Sequence, residues 1–198
     1  MKSKTKSKRK HVPWNKDQLI GQKLPLGLKE IRAIRGHLRS VQQTRDLVLF
    51  NLAVDINLRA CDLVTLRVRD IAKGRRVASQ VTIAHLQTSH PLRYELSEET
   101  RESVAAWIVQ EKLKPDDHLF PSRINDSPHI STRQYARIVA SWIGLIGLDP
   151  HNYGTKSLRR TKPMLLYRRT KSLEAVQLLL GHTKLESTVR FLGIKRET

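Results

Sequence analysis

Only one stretch of the chain repeats its hydrophobic pattern every second residue. Val77, Ser79, Val81 and Ile83 alternate with polar neighbours, and Leu92, Tyr94 and Leu96 do the same after a polar interruption. A period of two belongs to a half-buried strand, so the pair predicts a β-hairpin with its tip near residues 88–91. Everywhere else the periodic segments follow the helical repeat. In residues 44–57, Leu47, Val48, Asn51, Leu52 and Ile56 share a face, with Asp46 in the first turn. Residues 28–38 read as a shorter helix and residues 63–66 as a helical turn. Ser97 stands as an N-cap with Glu98 and Glu99 at the positive end of the next helix. Ser131 and Gln134 have capping-box spacing ahead of Ile138, Val139, Trp142 and Ile143. Residues 173–180 form a helix ended by Gly181. A strand pair embedded early in a helical chain gives an α+β, mostly helical plan with a small antiparallel sheet. It excludes the βαβ alternation of a dinucleotide-binding fold. No repeat of solenoid period is present.

Charge narrows the partner. Lys and Arg number 37 against 18 Asp and Glu in 198 residues, a net charge of +19, with a pI near 10.6. So large an excess calls for a polyanion, and nucleic acid comes first. Lys2, Lys4, Lys6, Lys8, Arg9 and Lys10 crowd the first ten residues, yet the remainder still carries about +13. Residues 1–20, with Pro13 and few apolar anchors, read as a basic, disordered arm adding sequence-independent phosphate affinity. Residues 21–198 read as one compact domain. No apolar core follows the basic run, so it does not read as a signal peptide. No stretch reaches the ~18–20 apolar residues of a membrane span, and no long amphipathic helix suggests a membrane surface. Cys61 is the single cysteine, which rules out an intramolecular disulfide and a cysteine zinc site, and fits a reducing compartment.

Four places in the chain carry a more specific signal. The first is Asn57-Leu58-Arg59-Ala60-Cys61-Asp62-Leu63. The second is the hairpin His85-Leu86-Gln87-Thr88-Ser89-His90-Pro91-Leu92. The third is Tyr153-Gly154-Thr155-Lys156-Ser157-Leu158-Arg159-Arg160-Thr161. The fourth is Gly181-His182, followed nine residues on by Phe191. In this order, they resemble the boxes of the tyrosine recombinase (phage integrase) family. The resemblance covers nearly everything from Leu24 to Ile194 and is to short integrases built of little more than the catalytic domain.

The resemblance implies roles residue by residue. Arg59 and Arg159 take the places of the two arginines that grip the scissile phosphate, where a guanidinium donates two parallel hydrogen bonds to a pentavalent centre. Asp62 would help orient them. His182 takes the place of the His or Trp that hydrogen-bonds a non-bridging oxygen. Three positions depart from the pattern. Gln87 stands where the family has its lysine general acid, and an amide cannot deliver a proton. Lys156 stands where it has a histidine. Lysine can hold phosphate as a point charge, but an ammonium that loses its proton only near ~10.4 is a poor base at neutral pH. Phe191 stands where it has the nucleophilic tyrosine, and a phenyl ring has no hydroxyl to attack phosphorus. Groups that grip phosphate are kept; groups that move protons or attack are changed. The same pattern fits a natural degenerate paralogue and a chain crippled to trap a complex.

Among the other tyrosines, Tyr94 sits at a core-facing strand position, Tyr135 and Tyr167 fall within helices, and Tyr153 matches no nucleophile position of the family. Pro163 falls in the second turn of the helix opened by the third box, where proline can cost ~3 kcal/mol.

The expected function is therefore that of a DNA-binding protein of this family, involved in recombination or integration and unable to cleave DNA itself. It would be cytoplasmic and nucleoid-associated, encoded by a bacterium, phage or mobile element. It needs no cofactor or metal. Its partners would be double-stranded DNA and an active recombinase, or further copies of itself in a synaptic complex. Two other readings stay open: an active site-specific recombinase with atypical chemistry, and a non-enzymatic RNA-binding basic module. Few aromatics for base stacking argue against the last.

Overall fold

The computed structural model describes residues 22–74, 76–84, 91–123 and 126–194. The basic arm and Gln87 lie outside the described residues. Helix α1 spans Leu28–Ser40 and α2 spans Thr44–Asp55. Two short helices follow, α3 (Ala60–Val64) and α4 (Val68–Ile71). Then come β1 (Ala72–Lys73), β2 (Arg76–Val77), β3 (Gln80–Ala84) and β4 (Pro91–Glu95). The chain returns to helix in α5 (Glu98–Gln110), α6 (Thr132–Leu145), α7 (Thr155–Thr170), α8 (Leu173–Leu180) and α9 (Leu185–Leu192). Among the described residues, no helix is long and apolar enough to cross a membrane.

Helix α2 is the centre of the domain. Every residue from Leu47 to Asp55 is buried, as expected of a helix covered on all sides. It packs against α1, α5 and α7. Phe50 meets Trp142 of α6 edge-to-face, ring centroids 5.5 Å apart, an arrangement worth ~0.5–1.5 kcal/mol beyond area burial. A smaller apolar cluster of Val176, Leu180 and Leu192, flanked by Met164, Tyr167 and Phe191, holds α8 and α9 against α7.

The predicted capping residues do their work. Ser97 Oγ accepts from Thr100 N, Ser131 Oγ from Gln134 N at 3.1 Å, and Gly181 closes α8 in the left-handed conformation. The sheet differs from the single hairpin expected. Val77 and Val81 do not share a strand: β1 pairs with β2, and β3 pairs separately with β4, as two antiparallel two-stranded sheets. The backbone changes partner between them. Ala78 N–H bonds back to Ile71 O, whereas Ser79 O accepts from Leu96 N–H. Alternation reports which face is buried, and Val77, Val81, Ile83 and Tyr94 are all buried. It does not report which strand is the neighbour. The helical turn expected at residues 63–66 sits earlier, as α3, and α4 had no periodic signal at four residues. Pro163 is the ninth residue of α7, one turn further along than expected, and is buried. There it withholds a donor from the Arg159 carbonyl, the acceptor four residues back.

Two polar ties fix the elements that carry the site. The Asp55 carboxylate at the end of α2 accepts from Ser97 N (2.8 Å), Ser97 Oγ (2.7 Å) and Thr100 Oγ1 (2.6 Å), binding α5 to α2. Lys162 Nζ of α7 donates to Asp55 O at 2.6 Å and Glu95 O at 3.3 Å, joining α7 to the ends of α2 and β4. Burial lowers the Lys162 pKa, opposed by Asp55 and Glu95.

Candidate functional site

Beyond α2 the chain turns sharply. Asn57 is buried and takes a positive φ of 35°, a conformation that asparagine tolerates better than most residues. Two residues on, Arg59 is the extended N-cap residue of α3. This is not the C-terminal capping role that an isolated arginine at a helix end would have. Across the turn lies α7, where Arg159 Nε donates to Asn57 O at 3.1 Å. The backbone that presents Arg59 thus also holds Arg159, and their charges are close enough to act on each other. Burial lowers the Arg159 pKa first, Arg59 lowers it further, and Tyr94, Asp62 and Cys61 oppose both. Guanidinium stays protonated regardless. The result is a half-buried pair of cations with Asp62, 2% exposed, beside it.

Phe191 completes one wall. Its ring centroid lies 5.5 Å from Arg159 Cζ, a cation–π contact. It also meets the His182 ring edge-on, centroids 5.7 Å apart at 73°. His182 follows the left-handed Gly181, and its N–H bonds to Gln177 O at 3.1 Å while Gly181 N–H bonds to Leu178 O at 3.2 Å, a paired closure of the helix end. Gly181 has φ 65°, and a Cβ there would fall 2.7 Å from Leu92 Cδ2 of β4. The loop bearing His182 therefore rests directly on the hairpin. Thr188, fully buried, faces His182 with its Oγ1 3.0 Å from Nδ1. In the tautomer where the hydroxyl donates to Nδ1, the proton sits on Nε2, which can then act as a donor.

Burial lowers the His182 pKa, and the charge of Arg159 lowers it further. The folded chain therefore binds this proton less tightly than the unfolded chain does. The site is neutral toward stability above about pH 6.5 and subtracts from it as pH falls through that value toward the lower folded one. We expect the His182 ring to titrate below the ordinary imidazole range by NMR. We also expect His182→Gln to reduce the loss of thermal stability between about pH 7.5 and 5.5; an equal loss in both chains would contradict this.

Of the residues singled out by sequence, the fold brings Arg59, Arg159, His182 and Phe191 together from four separate elements. Lys156 stands exposed in the first turn of α7, three residues before Arg159. Burial pushes the Tyr94 hydroxyl up to about 12, opposed by Arg159; Tyr135 is buried and shifted further upward. Neither is a ready nucleophile. Thr188 was not anticipated, because its only sequence signal is its position on the buried face of α9. Among the described residues no three His, Cys, Asp or Glu side chains gather as a metal-ligand set.

The model of the phage integrase family matches residues 26–197. The chain belongs to the phage integrase family. It is 26% identical over 171 residues to the probable integrase/recombinase YoeC of Bacillus subtilis strain 168, covering 86% of this chain and 89% of that protein. Its fold is that of solved tyrosine recombinases. The XerH site-specific recombinase bound to difH substrate superposes with a TM-score of 0.70 at 19% identity, over 89% of this chain and 53% of that one. The Tn1549 transposon integrase in complex with transposon right end DNA gives 0.68 at 15% identity, over 90% and 64%. The chain thus spans between half and two thirds of these recombinases, in the region of their catalytic domains. As a member of the family, it is a protein of DNA recombination.

Proposed function

We propose that this phage integrase family member binds duplex DNA and grips a backbone phosphate without cutting the strand. Its partners are double-stranded DNA and an active recombinase, or further copies of itself, whose sites it occupies or whose synapse it joins. The observation that carries the reading is the wall of the site. Arg59, Arg159 and His182 converge on one place, and the side chain that completes it is the ring of Phe191. Two guanidiniums and an imidazole can donate to the non-bridging oxygens of a phosphate. A phenyl ring cannot form the phosphotyrosine bond on which the family's strand exchange depends. The net charge of +19 supplies the long-range attraction, and the likeness of the fold to recombinases held on DNA supports the same partner.

Phosphate contacts should dominate the affinity. On a duplex of about 30 base pairs, log Kd should rise linearly with log salt, with a slope of about 0.9 per phosphate neutralised. Arg159→Ala should weaken binding across unrelated sequences and reduce that slope by about one. A salt-insensitive or absent affinity for duplex DNA sinks the reading. A preference for structured RNA over duplex would favour the RNA-binding module instead.

A further inference from the structure

The end of α9 is fastened from outside the helix. Arg160, in the second turn of α7, is 8% exposed. Its Nη1 donates to Lys23 O at 2.5 Å and its Nη2 to Leu192 O at 2.9 Å. Leu192 is the last residue of α9, where carbonyls lack intrahelical donors. Two residues earlier, in the same last turn, Arg190 O accepts from Gln22 Nε2 at 2.7 Å. Gly193 follows with φ 68°, and a Cβ there would fall 2.3 Å from Gln22 Oε1 and 3.0 Å from Arg160 Nη2. The two side chains therefore close directly over the turn.

Among the described residues no carboxylate pairs with Arg160, and its buried Nε has no partner. A buried cation served only by backbone carbonyls is a costly way to fill space, where an apolar side chain would pack without the desolvation. Its two carbonyl bonds join the segment before α1 to the last residue of α9. That helix has eight residues and rests on a small satellite cluster, not on the main core; a helix so short does not persist without tertiary support. One residue back on α7, Arg159 lies against Phe191.

We propose that Arg160 is a positioning residue: together with Gln22 it fastens α9, so that the side chain at position 191 stays over the Arg59–Arg159 pair. The proposal concerns the resting chain and holds whether or not that pair meets DNA. Phe191 is one of three phenylalanines, and the others, Phe50 and Phe120, are fully buried in the main core. The full-length chain labelled with 4-fluorophenylalanine therefore gives three fluorine signals, that of position 191 being identified by its loss in Phe191→Leu.

In Arg160→Ala we expect the Phe191 signal to move and narrow while the other two stay. Amide exchange across residues 185–194 should accelerate about tenfold or more, with α2 unchanged. Gln22→Ala should show the same pattern more weakly. Arg160→Lys, which keeps the charge but not the two-carbonyl fork, should fall between wild type and Arg160→Ala. If Arg160→Ala does not fold, these last two chains carry the same readouts. An unmoved Phe191 signal with unchanged α9 exchange overturns the proposal. So does a joint change of all three signals and of α2 exchange, which would make Arg160 a general core residue.

Discussion

Restoring the missing hydroxyl alone, by Phe191→Tyr, will give at most a trace of covalent protein–DNA adduct on a nicked suicide duplex. A tyrosine nucleophile needs somewhere for its proton to go, and the departing 5′ oxygen needs a proton delivered. On the family resemblance, the donor position would be Gln87, an amide. The histidine position would be Lys156, an exposed ammonium. Among the described residues the imidazole beside position 191 is that of His182, and burial together with Arg159 biases it toward the neutral form. It can donate a hydrogen bond to phosphate, but it does not replace both missing groups. Each positioned acid or base contributes about 10²–10⁴ in rate. The combined Phe191→Tyr, Gln87→Lys and Lys156→His chain should therefore accumulate adduct at least about a hundredfold faster than Phe191→Tyr. Comparable rates would mean that Gln87 and Lys156 were misassigned. Adduct from the unmodified chain would reveal a different nucleophile and revive the reading as a working recombinase with atypical chemistry.

Trp107→Ala will cost about 3–5 kcal/mol of folding stability, a loss that can leave a domain of this size largely unfolded. Trp107 is 1% exposed on the inner face of α5, and its Nε1 donates to Leu119 O at 2.8 Å. Truncation removes the indole, opens a cavity and strands a buried carbonyl, and these costs act together. Val109, two residues along on the outer face, is 53% exposed, so Val109→Ala should stay within about 0.5 kcal/mol. Urea unfolding of the two variants measures the contrast. A loss below about 1.5 kcal/mol for Trp107→Ala would mean that the core relaxes to fill the space.

Legibility in the sequence followed the range of the interaction. Ser97, Ser131 and Gly181 act within three or four residues, and each lies at the helix end that it marks. The face-by-face burial of Val81, Ile83 and Tyr94 is likewise a local pattern. The partner change between Val77 and Gln80 was not legible, because it depends on the backbone of Ile71 and Leu96. At the site, the family resemblance pointed to Arg59, Arg159, His182 and position 191, and the fold brings those four together. It was silent on Thr188 beneath His182, on Leu92 beneath Gly181 and on Arg160 at the end of α9. Those contacts join residues whose side chains carry no motif of their own. The two arginines numbered 159 and 160 look alike in sequence. Only the fold shows that one turns toward Phe191 and the other toward Leu192 O.

The ties around Lys162 and Arg159 have a consequence for the order in which the molecule matures. Arg159 reaches back 102 residues to Asn57, and Lys162 reaches 107 residues to Asp55 and 67 to Glu95. Contacts of such separation form only after the intervening chain has been ordered. A nascent chain that has just left the ribosome as far as α6 holds Arg59 but still lacks Arg159, His182 and Phe191. The proposed phosphate grip would thus be completed late in synthesis, with the last three helices, and a truncated product would lack it.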